Sequence, residues 1–324
     1  MTETTRRGLI AAASTVALAG HPMTAAAQTA PAPAASRQAP GFYRFKVGEA
    51  EITVLHDGYV GRRAEGLVRN VPLPEVEAAL RASFLNPDAL ENVYNITVVR
   101  TGTRTIMFDS GFADNGAPTT GQMAANMAAA GITPASIDTV ITTHFHPDHI
   151  NGVRLKAGAL TYPNAQILVP AQEWGFWMDD GRATQAPEAQ RGNFNLARRV
   201  FSPNASDIKR FEWNTEVAPG ITAIGTPGHT PGHTSFVLAS GNSKILIQGD
   251  ASGIPALFVR NPGWHSGFDM DPQMAEASRR KLYDMAVVER IPVIGYHFPF
   301  PAVGHLAKDG TGYRLELAHW RSVV

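Results

Sequence analysis

Cysteine is absent from the 324-residue chain. That excludes disulfides, thiolate zinc sites, iron–sulfur clusters and a cysteine nucleophile. An excess of either charge is absent too, with 28 Lys+Arg against 28 Asp+Glu. There is thus no bulk electrostatic reason to expect nucleic acid or an anionic membrane surface as a partner. Charged residues make up only 17% of the chain and hydrophobic residues 44%, a balance that argues for a packed core against extensive disorder. Beyond residue 40 no apolar run is long enough to span a bilayer. Any metal the chain binds must therefore be held by His, Asp and Glu.

What is present begins with an address. Thr5-Arg6-Arg7-Gly8-Leu9-Ile10 is followed by an Ala-rich apolar run to Gly20 and by Ala25-Ala26-Ala27, a small-residue cleavage pattern. The paired arginines resemble the twin-arginine export signal of bacteria. This assigns residues 1–27 to a cleaved signal peptide, 28–40 to a Pro/Ala-rich arm and 41–324 to one domain. The expected product is periplasmic or secreted, and free of the membrane after cleavage.

From Gly41 onward short β-branched runs alternate with turns. Hairpins are expected at Phe45–Val47 with Ile52–Val54 and at Ile96–Val99 with Thr105–Phe108. Further strands are expected at Thr139–Thr143, Gln166–Val169, Ile221–Ile224, Ser235–Leu238, Lys244–Gln248 and Val293–Gly295. Helices are expected at Gln122–Ala130, Ala171–Met178 and Pro272–Arg290. With 30 glycines and 23 prolines, the pattern suits one layered α/β domain whose functional residues sit on strand-end loops.

The chemistry concentrates in His144-Phe145-His146-Pro147-Asp148-His149, where the Thr139–Thr143 strand ends. Residues two apart on extended chain point the same way, so His144 and His146 can converge on one metal. Pro147 keeps His146 extended and suits the first turn of a helix, which carries Asp148 and His149 past the bend. His229, Asp250 and His297 each follow another expected strand. Five imidazoles and two carboxylates delivered by strand ends can hold two borderline metals such as zinc.

This series resembles the metallo-β-lactamase superfamily. The resemblance implies a four-layer αββα sandwich with the site at one sheet edge. It implies that His144, His146 and His229 bind one metal, that Asp148, His149 and His297 bind another, and that Asp250 bridges them. It also places Asp109 in support of the site. A closer resemblance is to the methyl parathion hydrolase family of phosphotriesterases and lactonases. It is carried by Ala39-Pro40-Gly41-Phe42-Tyr43-Arg44, by Gly228-His229-Thr230-Pro231-Gly232-His233-Thr234, and by His297-Phe298-Pro299-Phe300-Pro301 with Gly304-His305. From it His233 and His305 are expected beside the site, and Trp177 and Phe194 on an aromatic pocket wall. A homodimer is implied as well. The chain departs from the homoserine-lactone lactonases at Gly253, where they carry a tyrosine three residues after the bridging Asp.

The resulting expectation is a binuclear hydrolase with two divalent metals, zinc first, and Mn, Co or Fe as alternatives. A metal-bridging hydroxide would attack a lactone, ester or phosphotriester, with Asp148 and Asp250 the catalytic carboxylates. With no run of Lys or Arg near the motifs, the pocket is expected to be apolar and its small-molecule substrate neutral. Arg279-Arg280-Lys281 is read as a solvated face. The competing readings are a β-lactam hydrolase and a non-catalytic metal-binding protein of the same fold.

Overall fold

Period-two alternation in the β-branched runs builds two sheets whose inner faces form the main core. The computed structural model describes residues 38–324. The expected signal peptide and residues 28–37 of the arm lie outside the described residues. The first sheet carries β1 (Phe42–Val47), β2 (Ala50–Arg62), β3 (Leu90–Thr101), β4 (Arg104–Phe108), β5 (Thr139–Ile141), β6 (Gln166–Pro170) and β7 (Lys209–Phe211), in that spatial order. The second carries β8 (Glu216–Ala218), β9 (Ile221–Gly225), β10 (Thr234–Ser240), β11 (Ser243–Ile247), β12 (Pro292–Ile294), β13 (Val303–Asp309) and β14 (Gly312–Leu317), again in chain order across the sheet. Pairing is antiparallel from β1 to β4 and parallel from β4 to β7. In the second sheet the β11–β12 pair is parallel and the others antiparallel.

Alternation decides which residues meet. Ile106 and Phe108 of β4 and Ile141 of β5 join the core shared with Phe236, Leu238 and Ile245 of the second sheet. Phe108 and Phe236 stack across the interface with ring centroids 5.0 Å apart. The intervening Met107 and Val140 face the other way, into a second core. That core is covered by α2 (Met123–Ala129), α3 (Pro147–Ile150), α4 (Ala171–Trp177), α5 (Asp180–Gln185) and α6 (Glu188–Phe201). A smaller cluster gathers α1 (Leu73–Ala82) and α7 (Pro255–Phe258) around Leu67, Val76, Leu80 and Phe258.

The outer face of the second sheet is closed by α8 (Pro272–Glu289), whose Leu282, Tyr283 and Ala286 are buried. Its limits are chemical. The Asp271 carboxylate accepts from the Met274 N–H at 2.9 Å, Pro272 occupies the first turn, and Arg290 ends the helix in the left-handed region at φ 54°. The layers are those of the expected αββα sandwich.

The sequence expectations lack α1, α5, α6, α7, β7, β8, β13 and β14. For α6 a signal exists, because Phe194, Ala197, Val200 and Phe201 recur at helical spacing and are all buried. Among the described residues no helix is long and apolar enough to cross a membrane.

Candidate metal centre

The parallel strands aim their carboxyl ends at one edge of the sandwich, and every ligand expected from the sequence arrives there. The chain leaves β5 through Thr142 and Thr143 to His144, and His146 is extended at φ −69° and ψ 157° before Pro147 opens α3. His229 lies on the β9–β10 loop, Asp250 follows β11 and His297 follows β12. Backbone bonds lock the two sheets together at this edge. Thr234 donates to the Thr143 carbonyl at 3.0 Å, and Asn95 donates to the Tyr296 carbonyl at 2.9 Å.

The ligand atoms form two groups. In one, His144, His146 and His229 offer ring nitrogens within 4.8 Å of one another; in the other, His149 and His297 offer ring nitrogens and Asp148 and Asp250 carboxylate oxygens, again within 4.8 Å. The His229 Nε2 and His146 Nδ1 are 2.9 Å apart. Two imidazole nitrogens so close need a proton or a cation between them. Asp250 faces both groups, with Oδ1 3.3 Å from His149 Nε2 and Oδ2 3.4 Å from His229 Nε2 and 3.0 Å from His297 Nε2. Asp148 Oδ2 lies 3.4 Å from both His149 Nε2 and His297 Nε2.

Divalent cations fit this donor set. His144 Nε2, His149 Nε2 and Asp250 Oδ1 are buried and, although the last two lie 3.3 Å apart, none has an aligned hydrogen-bond partner among the described residues, a costly arrangement for a site that binds nothing. The opposite ring nitrogens are engaged, which turns the lone pairs inward. His144 Nδ1 meets the Thr143 hydroxyl at 3.0 Å, His149 Nδ1 meets Asp109 at 2.8 Å, His229 Nδ1 meets Asp269 at 3.0 Å and His297 Nδ1 meets the Val93 carbonyl at 2.8 Å.

The electrostatics agree. Burial and neighbouring imidazole charge, foremost that of His229, press His146 down to about 3. Burial, then His149, also press His144 well below its ordinary range. Both rings are therefore neutral, as metal coordination through nitrogen would require. Burial would lower His149 too, yet the charges of Asp250, Asp148 and Asp109 raise it well above the usual histidine value. Burial opposes ionisation of Asp148, but His149 and His297 outweigh it and bring the carboxyl to about 2. The carboxylates thus call for positive charge that a divalent cation would supply.

The supporting residues are partly as expected. Asp109, 1% exposed, accepts from the Thr143 N–H at 2.7 Å and its hydroxyl at 2.9 Å while holding His149. Buried His233 accepts the Asp250 backbone N–H on Nε2 at 2.9 Å, which leaves its Nδ1–H to face Thr226. His305 is a correction. It is exposed on β13 between buried Gly304 and Leu306, so strand alternation turns it away from the metal centre.

Three structural supports have no local mark in the sequence. Asp269 holds His229 and is itself met by Arg279 Nη2 at 3.3 Å. Arg279 is no solvated residue: it is 1% exposed and donates to the carbonyls of Ala251, Pro262 and Trp264. Glu173, wholly buried, accepts from the Phe145 N–H at 3.0 Å, the Gly232 N–H at 2.7 Å and the Trp177 indole at 2.7 Å. It thereby ties the His144–His146 loop to the His229–His233 loop.

A cavity of about 630 Å³ opens over the centre, with His146, Asp148, His229, Asp250 and His297 on its floor. Trp177 stands at its edge but is fully buried, with its indole N–H donated to Glu173. Phe194, expected beside it, does not reach the cavity: it packs in the core on Trp177 and Phe176, at ring distances of 4.8 and 5.6 Å, because α6 turns it toward the sheet. The expected apolar pocket is also corrected. Arg62, Arg69 and Arg279 all line it, brought together from distant segments by the Val68–Ser266 bridge and α8. Arg279 is committed to Asp269, Arg69 donates to the carbonyls of Gly267 and Asp269, and Arg62 lies over the Phe268 ring at 5.6 Å.

Comparison with known proteins agrees with this geometry. The N-acyl homoserine lactonase AiiA of Bacillus thuringiensis subsp. kurstaki is 29% identical over 165 residues, which cover 51% of this chain and 56% of the relative. The N-acyl homoserine lactonase AttM of Agrobacterium fabrum is 29% identical over 125 residues, covering 37% and 42%. The chain thus spans about half the length of the curated relatives it matches. Among solved structures, the hydrolase AbOPH of the beta lactamase superfamily superposes with a TM-score of 0.83 at 28% identity, over 88% of this chain and all of that one. AidC, a dizinc quorum-quenching lactonase in complex with a product, superposes with a TM-score of 0.80 at 25% identity, over 87% and 99%. The pattern described as the metallo-beta-lactamase superfamily matches residues 90–289, more than half of the sequence. By that match, and by the sandwich it shares with these structures, the chain belongs to the metallo-beta-lactamase superfamily.

Proposed function

We propose that the chain is a binuclear metallohydrolase that opens lactones and related esters, with phosphotriesters as a second substrate class of the same site. One observation carries the reading: the Asp250 carboxylate faces both ligand groups at 3.0–3.4 Å, at the floor of an open cavity. Zinc is the metal we assign, because neutral imidazoles with carboxylates suit it and because AidC is a dizinc enzyme. Bound divalent cations supply an acidified water as nucleophile and stabilise the charge that develops in the transition state.

The chain's own residues do the rest. Asp250 sets the spacing of the two groups, and Glu173 fixes the loops that present the first. Asp148 Oδ2, shared between His149 and His297, is placed to take a proton from the attacking water and return it to the leaving-group oxygen. The lactonase half of the reading is supported by the lactonase names among the relatives. The phosphotriester half is supported by the resemblance of the Gly228–Thr234 loop and the His297–Pro301 tail to the methyl parathion hydrolase family.

The test is kcat/KM of the zinc-loaded protein on an aryl lactone, an acyl-homoserine lactone and a dimethyl aryl phosphotriester. Lactone turnover exceeding phosphotriester turnover is the expected result. Two bound metals with no turnover of any substrate would overturn the hydrolase reading. Export through residues 1–27 belongs to the same proposal. Replacing both Arg6 and Arg7 with Lys should retain the protein in the cytoplasm, and unchanged fractionation would refute it.

A further inference from the structure

We infer that Tyr94 is a substrate-holding residue, whose phenol donates a hydrogen bond to the leaving-group oxygen on the His297 side of the centre; the inference rests on the hydrolase reading above. Tyr94 lies on β3, which alternation turns with Asn92 toward the cavity, beside Val60 and Arg62 of β2. Its ring is fixed on three sides. It meets Phe112 edge-on at 5.0 Å, His297 edge-on at 5.5 Å and Tyr296 at 6.3 Å. The residue is 2% exposed, so the hydroxyl is presented from a packed wall.

The hydrogen bonds of that hydroxyl are incomplete. Among the described residues its one contact is the Asn92 side-chain amide, which donates to it at 3.5 Å. The phenolic O–H has no acceptor there, and a nearly buried donor left without one is costly. Tyr296 makes the contrast plain, because its hydroxyl donates to the Asp148 carbonyl at 2.6 Å. Tyr94 is thus a pre-oriented, neutral donor that a ligand oxygen in the cavity would complete. The side is set by its neighbours, since Tyr94 stands against His297 and lines the same cavity as Asp148, the carboxylate that serves the leaving group. Gly253, also on the lining, offers no side-chain donor of its own.

A donor aimed at the leaving oxygen matters in proportion to the charge that oxygen gathers. The experiment compares the zinc-loaded wild type with Tyr94→Phe on esters of one acyl group, from 4-nitrophenyl through phenyl to alkyl. Log kcat/KM is plotted against leaving-group pKa, with metal content and Tm measured for both proteins. We expect Tyr94→Phe to stay near the wild-type rate on the 4-nitrophenyl ester. On the alkyl ester it should lose roughly 10- to 100-fold, mostly in kcat, giving a steeper slope. A parallel line, whether displaced or coincident, overturns the assignment while leaving the hydrolase reading intact. A wild type inactive on the whole series removes the hydrolase reading, and the inference falls with it.

Discussion

The two sheets bring ligands to the centre by unlike routes. The first delivers His144, His146, Asp148 and His149 from the end of β5 and the opening of α3. The second delivers His229, Asp250 and His297 from separate strand ends. Contiguity lets local backbone set much of the first set's direction, through extended chain at His146 and one proline, although Asp109 and Glu173 still brace it. The second set needs external bracing. Asp269 and Arg279 hold His229, and His233 holds the Asp250 backbone. The lesson is that a site can be legible in one half of a chain and framework-dependent in the other.

Four measurements break or sharpen that contrast. The largest effect is expected from Asp250→Ala, which removes the carboxylate shared by both groups. It should cost on the order of 10³-fold or more in kcat and lower the metal content below two per chain. Wild-type turnover with two metals bound would show that nothing is shared. Next comes Arg279→Ala, which leaves Asp269 buried without its cation. A loss of about 3–5 kcal/mol in urea unfolding is expected, and a loss within error would remove the bracing role from α8.

Asp109→Asn is the matching change in the first half. It keeps the shape, so the fold should hold while metal affinity falls roughly 10- to 100-fold at the His149 group. Chelator titration should then resolve one weakened metal and one unchanged; equal weakening of both would erase the distinction between the halves. The smallest effect concerns pH. Asp148 in the metal-free protein is held at about 2, below the ordinary carboxylate value. A depressed carboxyl contributes stability that is fully present above its unfolded pKa, so stability should decline as pH falls from roughly 4 toward 2. A stability flat across that window would contradict the assignment of charge.

Legibility followed the range of the forces involved. His144, His146, Asp148 and His149 could be placed from neighbouring residues alone. His229, Asp250 and His297 could be listed as strand-end residues, with their meeting point supplied by resemblance. Phe194 and His305 were misplaced for one shared reason. Each depends on which face of an element points inward, and the residues immediately around Phe194 on α6 and His305 on β13 do not by themselves declare that face. Arg279 was misread because adjacent charge suggests a solvated face, whereas the helix turns this residue alone of its run into full burial. Glu173 and Tyr94 carry no local mark of their placement, since the contacts that bring them to the site, Phe145 and Gly232 for Glu173 and Phe112 and His297 for Tyr94, stand on other segments.

The sequence by itself determined the strand-rich layered plan and restricted the candidate metal-holding residues to His, Asp and Glu near strand ends, because residue composition, period-two patterning and motif spacing are read without the fold. Only the tertiary structure decided which polar residues brace the two groups, such as Asp269, Arg279 and Glu173, and that arginines as well as aromatics line the cavity. Those outcomes depend on contacts between residues up to about two hundred positions apart, as between Arg69 and Gly267. Such contacts are set by how whole sheets and helices pack, and no short window of sequence encodes them.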